Sequence, residues 1–265
     1  MAGCRRADRV RMADLPRECQ SVTMASVAVF ETSRPRPGRR FDPTHELALL
    51  NSAMMAAGQL PGARRGVIIV PEMTGPYGIP DLTALVGDPA ALAARLELAV
   101  PPLLHEVDAG VVAVAHVKRP STPRDLSISL GWPEETVVRR LPSLVRAGAL
   151  CEVRSNGFVR PRALAPLGRL YAIEAKVRDW RRGVRQARTY GVWADSYVLI
   201  MGELALSAVR ELTEEVRGDS GGLVVQGRWV RRPGVRAVPL KRRLWATEHL
   251  VAAIQDDPHQ PSPVP

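Results

Sequence analysis

Cysteine is scarce in this sequence: Cys4, Cys19 and Cys151 are the only three in 265 residues. They are too few and too scattered for a disulfide framework, and no CxxC pair or Cys/His cluster offers a structural zinc site. Reduced thiols and a cytoplasmic setting are therefore expected. Also missing is any apolar run near the roughly 18 to 20 residues that span a bilayer. The arginine-rich beginning lacks the apolar core of a secretory signal. No internal repeat is visible. No nucleophile elbow or strand-borne cysteine with a histidine partner supports Ser/His/Asp or Cys/His catalysis. Acid is in short supply as well: 27 Asp and Glu stand against 37 Lys and Arg, for a net charge of +10. Arginine carries most of the excess and pairs bidentately with phosphate and guanine, so a polyanionic partner is expected. A high-GC genome, which inflates arginine, would give the same charge without such a partner.

What remains is ordinary for a globular protein, with 46% hydrophobic and 24% charged residues and room for one large or two small domains. Residues 1–40 combine Arg5, Arg6, Arg9 and Arg11 with a Ser/Pro/Arg/Gly stretch at 33–40. They read as a disordered basic leader with β character only at 22–30, and Met12 and Met24 are alternative starts. A helix is predicted over 44–57, capped by Asp42 or Thr44, with Glu46 in its first turn and Leu47, Leu50, Met54 and Met55 as an apolar stripe. Strands follow at 67–70 and 79–86, the second interrupted near its start by Pro80 and Asp81.

Residues 89–163 change texture. Helices are predicted at 90–100, 103–118 and 122–132, then from Pro133 to a Gly148 stop, followed by a hairpin around Ser155-Asn156-Gly157. Helix, helix, turn, helix, hairpin is the order of a winged helix-turn-helix. The turn Leu130-Gly131-Trp132 before an arginine-bearing helix, and the run Leu144-Val145-Arg146-Ala147-Gly148-Ala149-Leu150, resemble that family. The last helix should turn Val137, Val138, Leu141, Leu144 and Val145 inward and leave Arg139, Arg140 and Arg146 for nucleic acid. Pro142 inside it should cost about 3 kcal/mol and kink it unless the site relieves the strain.

A strand then ends in Glu174-Ala175-Lys176, and alternation sends Glu174 and Lys176 to one face with Ala175 on the other. A helix over 179–191 carries Arg181, Arg182, Arg185, Gln186 and Tyr190. It is followed by a strand at 196–201, a helix at 204–217, a hairpin-like pair across Gly227, a terminal helix at 240–254 and a disordered tail at 255–265. A bare Glu-x-Lys is most simply an exposed ion pair at a strand end, Glu46 a helix-start acid and Tyr190 a core aromatic.

In sequence order, however, a helix with Glu46, a strand with Asp81, a strand with Glu174 and Lys176, and a helix with Gln186 and Tyr190 resemble the PD-(D/E)xK nuclease superfamily, whose core runs helix, three strands, helix, strand. Gly78-Ile79-Pro80-Asp81, Glu174-Ala175-Lys176 and Gln186-Ala187-Arg188-Thr189-Tyr190 look like the GhxD, ExK and QxxxY motifs of its RecB-like branch. The interval between Asp81 and Glu174 is far longer than that core needs, and an inserted winged helix explains it. The resemblance implies an α/β protein with a mixed sheet, namely a restriction-endonuclease-like core in two parts (41–88 and 164–254) around a winged helix-turn-helix insertion (89–163).

It further implies Mg²⁺ or Mn²⁺ held by Asp81 and Glu174, with Glu46 direct or through water and the Ala175 carbonyl as an added ligand. Lys176 would position a nucleophilic water, and Gln186 and Tyr190 would orient Lys176 or a phosphate. DNA would lie along Arg139, Arg140 and Arg146 of one lobe and Arg181, Arg182 and Arg185 of the other. Two competing expectations stay open. One is a non-catalytic DNA-binding or transcription-regulatory protein on a nuclease-like scaffold. The other is a partner-binding module in which the winged helix pairs two copies into a homodimer.

Overall fold

The computed structural model describes residues 27–29, 43–87, 89–153 and 157–255. In chain order the elements are β1 (Val27–Val29), α1 (Pro43–Ala57), β2 (Val67–Pro71), β3 (Leu82–Val86), α2 (Pro89–Leu96), α3 (Glu106–Val114), α4 (Pro123–Leu130) and α5 (Glu134–Arg146). After these come β4 (Cys151–Val153), β5 (Gly157–Val159), β6 (Arg169–Lys176), α6 (Trp180–Tyr190), β7 (Ser196–Met201), α7 (Leu206–Gly218), β8 (Gly222–Val225), β9 (Arg228–Arg231) and α8 (Leu240–Gln255). The rest of the expected leader, and the tail beyond Gln255, lie outside the described residues. Within that leader, β1 forms where β character was expected, at 22–30; the correction is that it pairs in parallel with β2 and so joins the sheet.

One mixed sheet of seven strands, in the order β1-β2-β3-β6-β7-β8-β9, carries the fold. β3 runs antiparallel to both its neighbours, β2 and β6, whereas β6, β7 and β8 run parallel through the crossover helices α6 and α7. Helices cover both faces, so the central strands are continuous apolar runs, and all six residues of β7 are buried. Alternation divides the core in two. Val67, Ile69, Leu82, Ala84, Ile173, Ala175 and Ile200 pack against Leu49, Ala53 and Ala57 of α1. On the opposite face, Ile68, Val70, Leu170, Ala172 and Leu199 pack against Val184 and Ala187 of α6, Leu212 and Val216 of α7, and Leu250 and Ile254 of α8.

Between β3 and β6 the chain leaves the sheet to build a separate helical cluster. Departure and return coincide in space: Val86 pairs with Arg169, and a Cβ added to Gly87 would stand 2.8 Å from Gly168 Cα. The strand pair therefore keeps its register while α2 to α5 and the β4–β5 hairpin sit outside the sheet. Local chemistry fixes the helices of this cluster. Thr122 caps α4 in a reciprocal capping box with Asp125, and Gly131 ends that helix at φ 68°, a conformation that favours glycine. Val111, Leu126, Val137, Leu141, Leu144 and Phe158 form the cluster's core.

Helix α5 runs through Pro142 as predicted, with that side chain exposed. One expectation about α5 is corrected: Val138 is 46% exposed rather than inward. The domain division also needs revision, because α8 belongs to both units. Leu244 lies in the core of the helical cluster, whereas Ala246, Leu250, Val251 and Ile254 lie in the core of the sheet.

Candidate active site

Register explains why two acids far apart in sequence meet. β3 and β6 pair Leu82 with Ile173, so one step further the antiparallel ladder sets Asp81 opposite Glu174. Leu82 and Ile173 face α1, so the residues one step on along the antiparallel ladder, Asp81 and Glu174, face α6. Asp81 lies just before β3 rather than inside it, a small correction of the predicted strand. Pro80 lacks the N–H that a ladder position uses, which accounts for the later start. Asp81 is held at both ends: its carbonyl accepts the Glu72 N–H at 3.0 Å, and its Oδ2 accepts the Ala175 N–H at 2.7 Å.

Glu174 is fully buried. Its Oε1 accepts from Lys176 Nζ at 2.5 Å, and its Oε2 lies 2.9 Å from the Tyr190 hydroxyl. Burial pushes the Glu174 carboxyl above its usual range, with Asp81 adding to the rise and Lys176 and Tyr190 opposing it. Lys176 Nζ also donates to the Ala175 carbonyl at 3.0 Å and stands 4.0 Å from Asp81 Oδ2. Its stem packs where α6 has Gly183, at which a Cβ would come within 3.2 Å of Lys176 Cγ. One ammonium thus reaches both carboxylates and the Ala175 carbonyl, and it is only 16% exposed.

The Tyr190 hydroxyl also lies 3.0 Å from the Ile79 carbonyl, so it joins α6, β6 and the loop before Asp81. That loop is shaped for the ring. Gly78 has φ 77°, and a Cβ there would stand 2.9 Å from Tyr190 Cε1. Trp193 completes the anchorage by donating its indole N–H to the Tyr77 carbonyl at 3.1 Å.

Asp81, Glu174, Lys176 and Tyr190 are thus brought together from three stretches of chain, the loop before β3, β6 and the end of α6. Gln186 is not part of that network: it is half-buried, its Oε1 is buried without a hydrogen-bond partner among the described residues, and no hydrogen bond links it to Lys176. Glu46 falls in the first turn of α1, on the opposite side of the sheet, and its side chain lies outside the described residues.

Among the described residues no group of three or more His, Cys, Asp or Glu side chains gathers. The donor chemistry around Lys176 still fits a small hard cation. Two carboxylates and a backbone carbonyl, all oxygen, converge on one positive charge, and Mg²⁺ or Mn²⁺ prefers that ligand type with waters completing the shell.

The arginines divide. Arg139 and Arg146 on α5 and Arg182 and Arg185 on α6 are exposed. Arg181 lies over the Trp180 ring and pairs with Glu211 at 3.0 Å, still largely open to solvent. Arg140 is a correction, because its guanidinium is gripped by both oxygens of Asp108, at 2.6 and 2.5 Å, and ties α5 to α3. Sequence reasoning passed over Trp193 and Gly78 as partners of the site. The only sequence signal for Gly78 was its place in the motif before Asp81.

No family model, no curated protein and no solved structure matches the chain. No described helix is long and apolar enough to cross a membrane.

Proposed function

We propose that the chain is a metal-dependent nuclease of PD-(D/E)xK type that hydrolyses DNA phosphodiesters, with the helical cluster acting as an inserted winged helix-turn-helix. The observation that carries this reading is the convergence of Asp81, Glu174 and Lys176 at the end of the β3–β6 pair. The order α1, β2, β3, β6, α6, β7 supports it, being the helix, three strands, helix, strand of that superfamily. So does the helix, helix, turn, helix, hairpin order of the cluster, with its capped α4 and glycine turn.

In this reading Asp81 and Glu174 hold Mg²⁺ or Mn²⁺ together with the Ala175 carbonyl. The chemistry such an ion supplies when bound is Lewis acidity toward a phosphoryl oxygen. Lys176 then moves its ammonium from Glu174 toward the phosphate, where it stabilises the charge that grows on the pentacovalent phosphorus and orients the attacking water. Tyr190 keeps Glu174 in place through its hydroxyl. Arg182 and Arg185, exposed on α6, meet the DNA backbone on the same side of the sheet.

The test is cleavage of single- and double-stranded DNA with Mg²⁺ and Mn²⁺. Asp81→Asn and Glu174→Gln should abolish both cleavage and Mn²⁺ uptake. Lys176→Met should lower cleavage by about 10²- to 10³-fold while leaving Mn²⁺ uptake in place. DNA binding without cleavage under every one of these conditions would instead identify a regulator on a nuclease-like scaffold.

A further inference from the structure

At the end of the sheet away from Glu174 lies a second concavity, a cleft of about 770 Å³. It opens where the chain leaves β3 and returns to β6, between the sheet and α2. Four guanidinium-bearing residues line it, Arg65, Arg162, Arg169 and Arg243, and among the described residues no acidic side chain does. Its floor is backbone: Gly87 and Gly168 meet there so closely that a Cβ on Gly168 would stand 2.4 Å from the Val86 carbonyl oxygen. Small apolar groups such as Ala91, Ala94 and Pro166 form the walls.

These four cations are not all engaged in the fold. Arg243 is positioned by it: its Nε faces Asp195 Oδ1 at 3.3 Å, and one terminal nitrogen donates to the Gly168 carbonyl. Arg65 and Arg162 are exposed and have no ion-pair partner among the described residues. Gathering several like charges around one cleft opposes folding unless a ligand of opposite charge repays the repulsion. The guanidinium fork matches phosphate oxygens bidentately, and the volume lies within the range of small-molecule sites rather than of an open duplex groove.

We propose that this cleft binds a phosphate group carried by a nucleotide-sized moiety, with Arg65 and Arg162 closing on the phosphate, Arg243 held ready beneath it and the small apolar walls accepting the base or sugar. The site is independent of the acid pair. Arg169 and Glu174 sit five residues apart on β6, about 17 Å at the rise of a strand. The phosphate can arrive on a free nucleotide or on a nucleic-acid strand, since both present the same group.

Calorimetric titration of the full chain with ATP, with pyrophosphate and with a short DNA duplex distinguishes these sources. The proteins compared are the wild type, the double variant Arg65→Ala/Arg162→Ala and Asp81→Asn, with circular dichroism confirming that each is folded. Binding of ATP and pyrophosphate that weakens at least tenfold in the double variant and persists in Asp81→Asn supports the site with a free nucleotide as ligand. A duplex that displaces ATP, and needs the same two arginines to do so, supports it with nucleic acid as the source. If no phosphate compound binds, if the double variant binds as well as the wild type, or if Asp81→Asn loses the binding equally, the proposal is overturned.

Discussion

Arg95 of α2 and Glu248 of α8, 153 residues apart, form a doubly hydrogen-bonded ion pair at 2.8 and 2.6 Å with neither side chain exposed. The pair is completed by backbone. Arg95 Nη1 donates to the Val100 carbonyl at 3.1 Å, and Glu248 Oε2 accepts the Leu103 N–H at 3.0 Å. It fastens the start of the helical cluster to the helix that packs under the sheet. Removing one charge leaves the other buried and uncompensated, at a cost of about 3 to 5 kcal/mol. Glu248→Gln should therefore destabilise the protein by about that amount in urea unfolding. Arg95→Met/Glu248→Gln should cost less than the sum of the two single changes, because the amide still accepts from Leu103 and no unpaired charge remains. An additive double-mutant cycle would show that the two side chains do not act as a unit.

Gly78 is where backbone and ring share space. Alanine there meets two obstacles, a φ of 77° that costs a side chain about 1 to 2 kcal/mol and Tyr190 Cε1 at 2.9 Å. The ring is buried and held through its hydroxyl, so the loop has to give. Gly78→Ala should lower the melting temperature and also weaken Mn²⁺ uptake, because the same loop sets Asp81. Tyr190→Phe keeps the ring against Gly78 but loses the hydroxyl contacts to Glu174 and to the Ile79 carbonyl, so it should loosen both without the backbone clash. Equal Mn²⁺ affinity in Gly78→Ala and the wild type would separate the loop from the site.

His249 gives a pH dependence with a definite sign. Its Nδ1 lies 2.8 Å from the Thr74 carbonyl, the geometry of a donating N–H, and its Nε2 is buried without a partner among the described residues. Burial holds the imidazole below its ordinary range, with the Thr74 carbonyl and Glu248 opposing that shift. The folded state therefore binds fewer protons than the unfolded state as pH falls through the ordinary histidine range near 6.5. The stability contributed by the neutral ring is complete above that range and is lost as pH falls toward the folded value. His249→Phe should flatten the fall in denaturation midpoint between about pH 7 and pH 5.

Local signals were legible where they repeat over several residues. Buried β7 and the Gly148 stop after α5 could be read because an unbroken apolar run and a glycine after a helical stripe carry their own pattern. Spacing alone showed only that Glu174 and Lys176 share a face once their strand forms; the place of Asp81 and Tyr190 beside them was implied by the motif resemblance. The β character around β1 was legible but its place in the sheet was not, because its partner β2 begins about forty residues later. Nor was the double allegiance of α8. Leu244 and Val251, seven residues apart, look like one amphipathic stripe, and only the tertiary fold sends them into different cores. Arg140 looked free for the same reason: its partner Asp108 is on another helix, and nothing local announces the pair.

For the DNA binding proposed above, the Asp108 contact decides which arginines of α5 carry the affinity. Each Lys or Arg that neutralises a phosphate adds about 0.9 to the slope of log K against log salt on duplex DNA. Arg139 and Arg146 on α5 are exposed, whereas Arg140 is committed to Asp108. Reversing Arg139 and Arg146 to Glu should flatten the slope by up to about 1.8, two contacts' worth. Arg140→Ala should instead cost stability, because it unties α5 from α3, and should leave the slope nearly unchanged. Arg182→Glu with Arg185→Glu should flatten it through the other lobe, and Arg181, held by Glu211, should contribute less than either. The measurement is a salt titration of duplex affinity for each variant, with unfolding midpoints recorded alongside. If only the α6 changes alter the slope, the helical cluster lies off the DNA; if Arg140→Ala alters it as much as the α5 pair, the Asp108 bond opens on binding.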